Sequence, residues 1–138
     1  MGRLLCIDYG RKRSGLAVTD PLQICANGLP TQRSCDLLQF IKSYCEKEIV
    51  DAIIIGDPKK LNGEPSENAQ YVNAFINSVK KALPEMEIIK FDERFTSSIA
   101  QQEMLAGGFK KKQRQEKGRV DEMAAILILT SFLERRQG

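Results

Sequence analysis

The sequence predicts an α/β fold in which a mixed five-stranded sheet carries helices on both faces. In the N-terminal part of the chain, three apolar segments follow one another across short polar turns, a pattern typical of antiparallel strands. Further on, apolar segments of strand type alternate with segments whose apolar residues recur at helical spacing. Strands connected through helices pair in parallel. We therefore expect an antiparallel first three strands, then parallel strands, in a single domain over residues 1–138.

The first two predicted strands flank a basic turn. Leu4–Ile7 and Leu16–Thr19 are apolar, and the turn between them is bounded by glycines. This turn contains three consecutive cations, Arg11, Lys12 and Arg13, close to the acid that ends the first strand. The pattern predicts a β-hairpin whose turn is strongly positive.

A strand, a helix and a buried strand are predicted next. Ile24–Thr31 is apolar enough for a third strand, and Pro30 indicates that this strand is short or lies at an edge of the sheet. Ser34 is a candidate N-cap for a helix whose apolar stripe extends to Cys45. The unbroken apolar run in Asp51–Gly56 suits a parallel strand buried on both faces.

The remaining elements alternate in the same way. Ser66 can cap a helix that Pro84 ends, and Met86–Phe91 is the fifth strand. Two helices follow, one from Thr96 or Ser97 to about Leu105, and one from near Val120 to about Arg135. The last helix is apolar almost all round and should be well buried.

Composition excludes several classes of chemistry. The chain has no histidine, which removes Ser-His and Cys-His catalysis and the commonest transition-metal ligand. Its four cysteines show no C-x-x-C spacing, so we interpret them as reduced thiols of a cytoplasmic protein. No segment approaches the roughly 20 apolar residues of a membrane span, so no membrane partner is expected. Hydrolytic chemistry would have to depend on carboxylates, which select hard cations such as Mg²⁺ or Mn²⁺.

Three acidic positions could meet in the crevice at the carboxyl ends of the parallel strands. They are Asp8 after the first strand, the Asp92–Glu93 pair after the fifth, and Asp121 in the first turn of the last helix. Each has a plainer interpretation. Asp8 could form an Asx turn, and the Asp92–Glu93 pair could solvate a loop. Asp121 could simply be an acid that the helix dipole stabilises in the first turn.

The acids are more informative together than apart. Carboxylates that converge repel one another unless a divalent cation lies between them. A pair of such ions could activate water and stabilise the entering and leaving oxygens of phosphodiester cleavage. The sequence therefore suggests a hydrolase that uses Mg²⁺ or Mn²⁺, with two ions in its site.

A second basic segment lies between Gly107 and Arg119. It has no helical periodicity, and Glu116 is its single acid. Such a segment could hold the phosphates of a nucleic acid, or it could be an ordinary solvated loop. Its cations are Lys110, Lys111, Lys112, Arg114, Lys117 and Arg119.

Four motifs in this order resemble the YqgF/RuvX family over nearly the whole chain. They read D-Y-G-R-K-R-S-G-L-A-V-T-D, I-G-D-P with G-E a few residues on, D-E-R-F-T-S, and R-V-D-E-M-A-A-I-L-I-L. The family consists of Holliday-junction-resolvase-like proteins of the ribonuclease-H-like fold, regarded as nucleases that mature the 5′ end of pre-16S ribosomal RNA. The resemblance implies a nuclease domain that acts on structured RNA, or on branched DNA, in ribosome biogenesis.

Carried over by position, the resemblance makes Asp8, Glu93 and Asp121 the catalytic, metal-binding acids. Arg94 matches an arginine that could contact phosphate. One position departs from the family pattern, because Asp57 stands where an apolar residue is expected, either to help bind metal or to cap the turn at the following proline. The loop after the fourth strand matches at Gly56, Pro58 and Gly63.

Two other functions fit parts of the sequence. The chain could be a non-catalytic RNA- or DNA-binding factor that retains the fold, in which case the acids are structural. It could also be a phosphotransferase, because Asp-x-Gly before a basic turn resembles the phosphate loop of actin-like kinases. Those enzymes close two such domains over a nucleotide, whereas this chain supplies one. The sequence is compatible with a monomer or a homodimer.

Overall fold

A computed structural model of the chain describes residues 2–57, 67–93 and 117–137, with side chains of the last segment described from Met123 to Arg136. A short 3₁₀ turn, Ser34–Asp36, precedes the first helix. The strands are β1 (Arg3–Asp8), β2 (Arg13–Thr19), β3 (Ala26–Arg33), β4 (Val50–Asp57) and β5 (Glu87–Asp92), and the helices are α1 (Leu37–Lys47), α2 (Ala69–Ala82) and α3 (Lys117–Gln137).

The five strands form one mixed sheet in the order β3-β2-β1-β4-β5. β1 pairs antiparallel with β2, and β2 pairs antiparallel with β3. On its other side β1 pairs parallel with β4, which pairs parallel with β5. The predicted arrangement of antiparallel and parallel strands is confirmed. Because β1 is central, its carboxyl end lies in the middle of one edge of the sheet.

Alternation along the strands divides the core between the two faces of the sheet. Leu5 and Ile7 pack with the apolar sides of α1 and α2, whereas Leu4 and Cys6 pack with α3. Successive side chains of a strand point to opposite faces, so one buried strand serves both layers. The predicted helices on both faces are confirmed. Within the described residues, no helix is both long and apolar enough to cross a membrane.

The third strand begins two residues later than the sequence indicates. The carboxylate of Asp20 accepts backbone N–H groups from Leu22, Ile24 and Cys25, at 3.1, 2.9 and 2.8 Å. These bonds hold the segment in a turn, so β3 starts at Ala26. Its proline is tolerated because β3 is an edge strand, where one side needs no ladder hydrogen bonds.

Helix starts differ most from expectation. Ser34 does not cap α1, which begins at Leu37 after the 3₁₀ turn, because the Ser34 hydroxyl binds the β1–β2 turn instead. α3 begins at Lys117 rather than near Val120, since lysine and arginine favour helix as strongly as most apolar residues. The predicted cap at Ser66 and the helix from Thr96 or Ser97 to Leu105 lie outside the described residues.

A polar cluster around the buried residue Gln23 lies at the sheet edge opposite the carboxyl end of β1. Gln23 is its centre and has a left-handed backbone, with φ of 60°. Its Nε2 donates to the Gly2 carbonyl at 2.7 Å and to Asp51 Oδ2 at 2.9 Å. Arg136 Nη1 donates to Gln23 Oε1 at 2.6 Å. We call this set the Gln23 junction; it joins β1, β4 and α3.

Candidate active site

Four carboxylates follow one edge of the sheet, where the parallel strands end. β1 ends at Asp8, β4 at Asp57 and β5 at Asp92, and Glu93 comes directly after β5. Asp57 and Asp92 are register partners. All four side chains are half-buried. The parallel pairing thus brings together acids that are far apart in sequence, as predicted for Asp8 and the Asp92–Glu93 pair.

The carboxyl groups of Asp8 and Glu93 share a hydrogen bond. Desolvation, the charge of Asp8 and this hydrogen bond raise the pKa of Glu93 from 4.5 to about 7, with smaller effects from Asp57 and Asp92. Two carboxylates can hydrogen-bond to each other only if one carries a proton. With a pKa of about 7, Glu93 keeps its proton up to the neutral range, because a buried second charge next to Asp8 is unfavourable.

Gly56 makes the position of Glu93 possible. A Cβ atom built on Gly56 would lie 2.7 Å from Glu93 Oε1 and 2.9 Å from Ile128 Cδ1. Both distances are shorter than real Cβ contacts, so a side chain here would make the Glu93 carboxylate and the tip of the Ile128 side chain move. The sequence marks Gly56 only as part of a motif, whereas its place beneath Glu93 gives the physical reason for a glycine.

The buried thiol of Cys6 lies next to this pair of acids. Burial raises its pKa well above the usual value, and the charges of Asp8 and Glu93 raise it further. A thiolate is the reactive form of cysteine, so Cys6 remains an inert part of the core. At this edge the carboxyl groups, rather than the Cys6 thiol, are therefore the candidates for chemistry.

The donor set suits a divalent cation. Asp8 and Glu93 are hard oxygen ligands that already bind a proton between them, and a divalent cation could take that proton's place. No group of three cysteine and acidic side chains that could hold a metal is found within the described residues. A full site would therefore need a ligand from elsewhere, and Asp121 is the sequence-predicted candidate.

Asp121 is the fifth residue of α3, not a first-turn residue as expected, because the helix starts at Lys117. The helix runs from the acidic edge, since Arg136 near its end reaches the Gln23 junction at the opposite edge. Asp121 precedes Ile128 by seven residues, almost two full turns, so both backbone positions share one side of α3. That side faces Gly56 at Ile128. The side chain of Asp121 lies outside the described set.

The basic turn between β1 and β2 is fixed by hydroxyl groups. The backbone N–H of Gly10 donates to Ser14 Oγ at 3.2 Å, and the hydroxyls of Ser14 and Ser34 are 2.8 Å apart. Ser34 Oγ also donates to the Gly10 carbonyl. A Cβ on Gly10 would lie 2.3 Å from the Arg13 carbonyl oxygen, so only glycine fits this turn. The turn holds Arg11, Lys12 and Arg13 exposed beside Asp8.

The same turn lies across the N-terminal part of α2. Tyr9 stacks on Phe75, with ring centroids 4.8 Å apart, and the Arg11 guanidinium lies 4.9 Å from the ring centroid of Tyr71. Asn68, the residue before α2, donates from Nδ2 to the Tyr9 carbonyl at 3.2 Å. Neither aromatic contact was predicted, because nothing in the sequence pairs a turn with a particular side of a later helix.

Another cation extends the basic surface. Arg33 at the end of β3 is the register partner of Arg13, and both are exposed. Sequence analysis missed Arg33 because it lies twenty positions further along the chain, and only strand pairing brings it close. Of the other predicted nucleic-acid contacts, Lys117 and Arg119 have their backbones in α3. Outside the described residues lie Pro58, Gly63, Arg94, Lys110, Lys111, Lys112 and Arg114.

Comparison with known proteins yields a family and a fold. Residues 2–135 match a family model described as "RuvX: Holliday junction resolvase". A protein of Phocaeicola vulgatus is 52% identical over 137 residues, which is 99% of each chain, and one of Parabacteroides distasonis is 47% identical over 99% of this chain and 98% of its own. Both carry the name "Putative pre-16S rRNA nuclease".

A solved structure shares the ribonuclease-H-like fold. It is that of Thermus thermophilus RuvC, reported as "T. thermophilus RuvC in complex with Holliday junction substrate". The two chains superpose with a TM-score of 0.61 at 16% identity, over 100% of this chain and 97% of that one. At this identity the likeness concerns the fold, whose mixed five-stranded sheet is the one described above.

Proposed function

Because the chain belongs to the RuvX family of Holliday junction resolvases, we propose that it is a metal-dependent endonuclease that hydrolyses phosphodiester bonds. The family contains nucleases, which are hydrolases acting on ester bonds. We further propose that the whole of residues 1–138 is one nuclease domain, active in the cytoplasm as a monomer or homodimer.

The meeting of the Asp8 and Glu93 carboxyl groups at the ends of β1 and β5 is the observation that carries the proposal. The two carboxyl groups interact with each other, and the cations Arg11, Lys12 and Arg13 are exposed on the chain just after Asp8. Such a pair is a preformed place for a divalent cation, and perturbed acids of this kind concentrate at functional sites. Gly56 keeps that place open from below.

Asp8, Glu93 and Asp121 would hold the metal, Mg²⁺ or Mn²⁺, with two ions in the full site. When bound, the ions would lower the pKa of water and offset the negative charge that develops on the phosphate. The residues of the chain position the substrate for this chemistry. Asp8 and Glu93 must release their shared proton first, so metal binding and proton release are coupled.

Cations around the acids would bind the substrate through its phosphates. Arg11, Lys12 and Arg13 are exposed on a fixed turn next to Asp8, a position suited to a phosphate backbone. We propose the same role for a further group of cations whose side chains the structure does not describe. They are Arg94, Lys110, Lys111, Lys112, Arg114, Lys117 and Arg119. Phosphate contacts of this kind hold RNA and DNA alike.

The names of the relatives support structured RNA as the substrate. We propose cleavage at the 5′ end of pre-16S ribosomal RNA, a step of ribosome biogenesis, since relatives near 50% identity are named for pre-16S rRNA. Branched DNA is a second candidate, because the matching family is described as Holliday junction resolvases. Both substrates present folded phosphate backbones around a cleavable bond.

Cleavage of both substrates by pure protein tests this function. A pre-16S rRNA fragment and a four-way DNA junction are each incubated with Mg²⁺ or Mn²⁺, using the wild type, Asp8→Asn and Glu93→Gln. We expect metal-dependent cleavage by the wild type and a loss of at least about 100-fold in either variant, since metal sites contribute several kcal/mol of transition-state stabilisation. Product ends are mapped on denaturing gels.

Glu46→Gln is the matched control. It removes one carboxylate from the exposed surface of α1, away from the acidic edge, and should cleave like the wild type. Wild-type rates in Asp8→Asn would contradict the mechanism. Metal-independent binding without cleavage of either substrate would favour the non-catalytic factor, and phosphate transfer from a nucleotide would favour the phosphotransferase.

A further inference from the structure

An exposed aromatic residue lies at the same edge of the molecule as the acids. Tyr71 is in the first turn of α2 and keeps 38% of its surface accessible, although it is a large ring. One turn further along α2, Phe75 is buried and stacks on Tyr9. Tyr71 is not part of that core cluster, and its ring remains accessible.

The guanidinium of Arg11 lies over the ring of Tyr71, 4.9 Å from its centroid. Arg11 follows Asp8 by three positions, so their Cα atoms are at most about 11 Å apart. This places the Arg11–Tyr71 pair within a few nucleotides of any phosphate that reaches the acids, because stacked nucleotides advance by roughly 3.4 Å. The pair is thus close enough to touch a nucleotide within about three positions of the one being cut.

The turn that carries Arg11 is held in place from both sides. Asn68 bonds the Tyr9 carbonyl, Tyr9 stacks on Phe75, and the Ser14–Ser34 hydroxyls hold the other side of the turn. A guanidinium that only had to neutralise phosphate would need no ring beneath it. A guanidinium over an aromatic ring adds a second planar group to the ring's own face, and both groups are surfaces on which nucleic-acid bases stack.

We infer that Tyr71 and Arg11 form a stacking platform for the base of an unpaired nucleotide beside the cleaved bond. The inference rests on the proposed function and specifies its substrate: RNA or DNA with unpaired nucleotides at the cut. A base inside a duplex is already stacked on its neighbours, so it cannot use the platform without being unpaired first. The platform therefore selects loops, ends and junction centres over continuous duplex.

Binding without metal tests the platform separately from catalysis. Short single strands of RNA and of DNA, each containing a fluorescent purine analogue, are titrated with protein in the presence of a chelator. A matching duplex is titrated in parallel. We expect quenching of the analogue by the wild type and by Tyr71→Phe, which keeps the ring. Tyr71→Ala should lose the quenching and weaken single-strand binding by roughly 5- to 150-fold, with duplex binding unchanged.

Lys12→Ala is the matched control from the same turn. Because it removes a charge and no ring, it should weaken single-strand and duplex binding alike and lower the salt dependence of the affinity. Quenching of the analogue at saturating protein should persist. Tyr71→Leu replaces Tyr71→Ala if the latter fails to fold. Quenching and single-strand preference that survive the loss of the Tyr71 ring, in both RNA and DNA, would overturn the platform.

The cleavage assay keeps the two proposals distinct. Ring-dependent quenching by a protein that cuts neither substrate would support the platform and contradict the nuclease function. Cleavage that is equally fast on single strands and duplex, and unaffected by Tyr71→Ala, would support the nuclease and contradict the platform.

Discussion

Glu93 holds a proton that an exposed glutamate would have lost. Burial and the neighbouring Asp8 favour the neutral form, so the pKa of Glu93 in the folded protein is about 7, above the 4.5 of a free side chain. Between these two values the folded state binds more protons than the unfolded state. Its stability must therefore fall as the pH rises through this interval.

We expect the metal-free protein to unfold at progressively lower temperature as the pH rises from about 4.5 to about 7, the interval between these two pKa values. Glu93→Gln cannot titrate at this position and should show a smaller decrease, whereas Glu46→Gln should follow the wild type. Mg²⁺ should raise the unfolding temperature of the wild type most at the high-pH end of this interval, where the pair has lost its proton. Thermal unfolding with a chelator and with Mg²⁺ measures this. If the unfolding temperature fell equally steeply with pH in Glu93→Gln and in the wild type, the raised pKa of Glu93 would be contradicted.

Tyr71 and Gly56 show why some residues of the site are hard to find from sequence. An exposed tyrosine in a helix is common and carries no signal, and only its distance from Arg11 gives it meaning. Gly56 follows four buried residues of β4, so its sequence context indicates only that a strand ends there. Asp8 and Glu93 were accessible to sequence reasoning because an acid directly after a buried strand is itself unusual.

At the scale of elements, the β1–β2 turn depends on a hydroxyl pair. Ser14 is fully buried and accepts from Gly10, and Ser34 joins it from the segment after β3. A buried polar group that loses its partner costs about 1–3 kcal/mol. The two serines should therefore act as a unit, and the turn that they fix bears Arg11, Lys12 and Arg13.

A double-mutant cycle measures that unit. Ser14→Ala and Ser34→Ala should each lower the free energy of unfolding by about 1–3 kcal/mol, because each leaves polar groups of the turn unsatisfied. The double variant should lose less than the sum, with a coupling of about 0.5–3 kcal/mol. Urea unfolding gives the four values. Ser78→Ala, on the exposed side of α2, is the control and should change stability little; strict additivity of the serine pair would contradict the coupling.

Strands and helices were predictable where burial imposes a period on the sequence. The alternation in β1 and the apolar run in β4 report the two covered faces of the sheet directly. Helix starts were less predictable, because the partner of a capping-type hydroxyl need not be local. Ser34 has the sequence of an N-cap, yet its hydroxyl bonds to Ser14 and Gly10, which only strand pairing brings near.

At the scale of the molecule, the Gln23 junction ties together elements from both ends of the described chain. Gln23 is buried and strained at φ of 60°, a conformation that costs an ordinary residue about 1–2 kcal/mol. Its side chain offsets this by binding Gly2, Asp51 and Arg136. No sequence pattern announces such a residue, since left-handed positions are normally signalled by glycine or asparagine.

Replacing Gln23 separates its two contributions. Gln23→Ala loses the hydrogen bonds and keeps the strain, so we expect a loss of about 1–3 kcal/mol in the free energy of unfolding. Gln23→Gly loses the same bonds but relieves the backbone and should be the more stable of the two. Chemical denaturation compares them. Both variants should cleave like the wild type well below their unfolding temperatures, and greater stability of the alanine variant would contradict the role of the backbone.

The junction also has a practical meaning for how the protein can be handled. Since Gln23 touches both Gly2 and Arg136, the two ends of the described chain emerge side by side, roughly 20 Å along β1 from the acidic edge. An affinity tag, a fluorophore or a solid support attached at either end would lie away from the acidic edge, where we propose that nucleic acid binds. Neighbouring ends also suit circular permutation, in which a short linker joins them and new termini open in a surface loop.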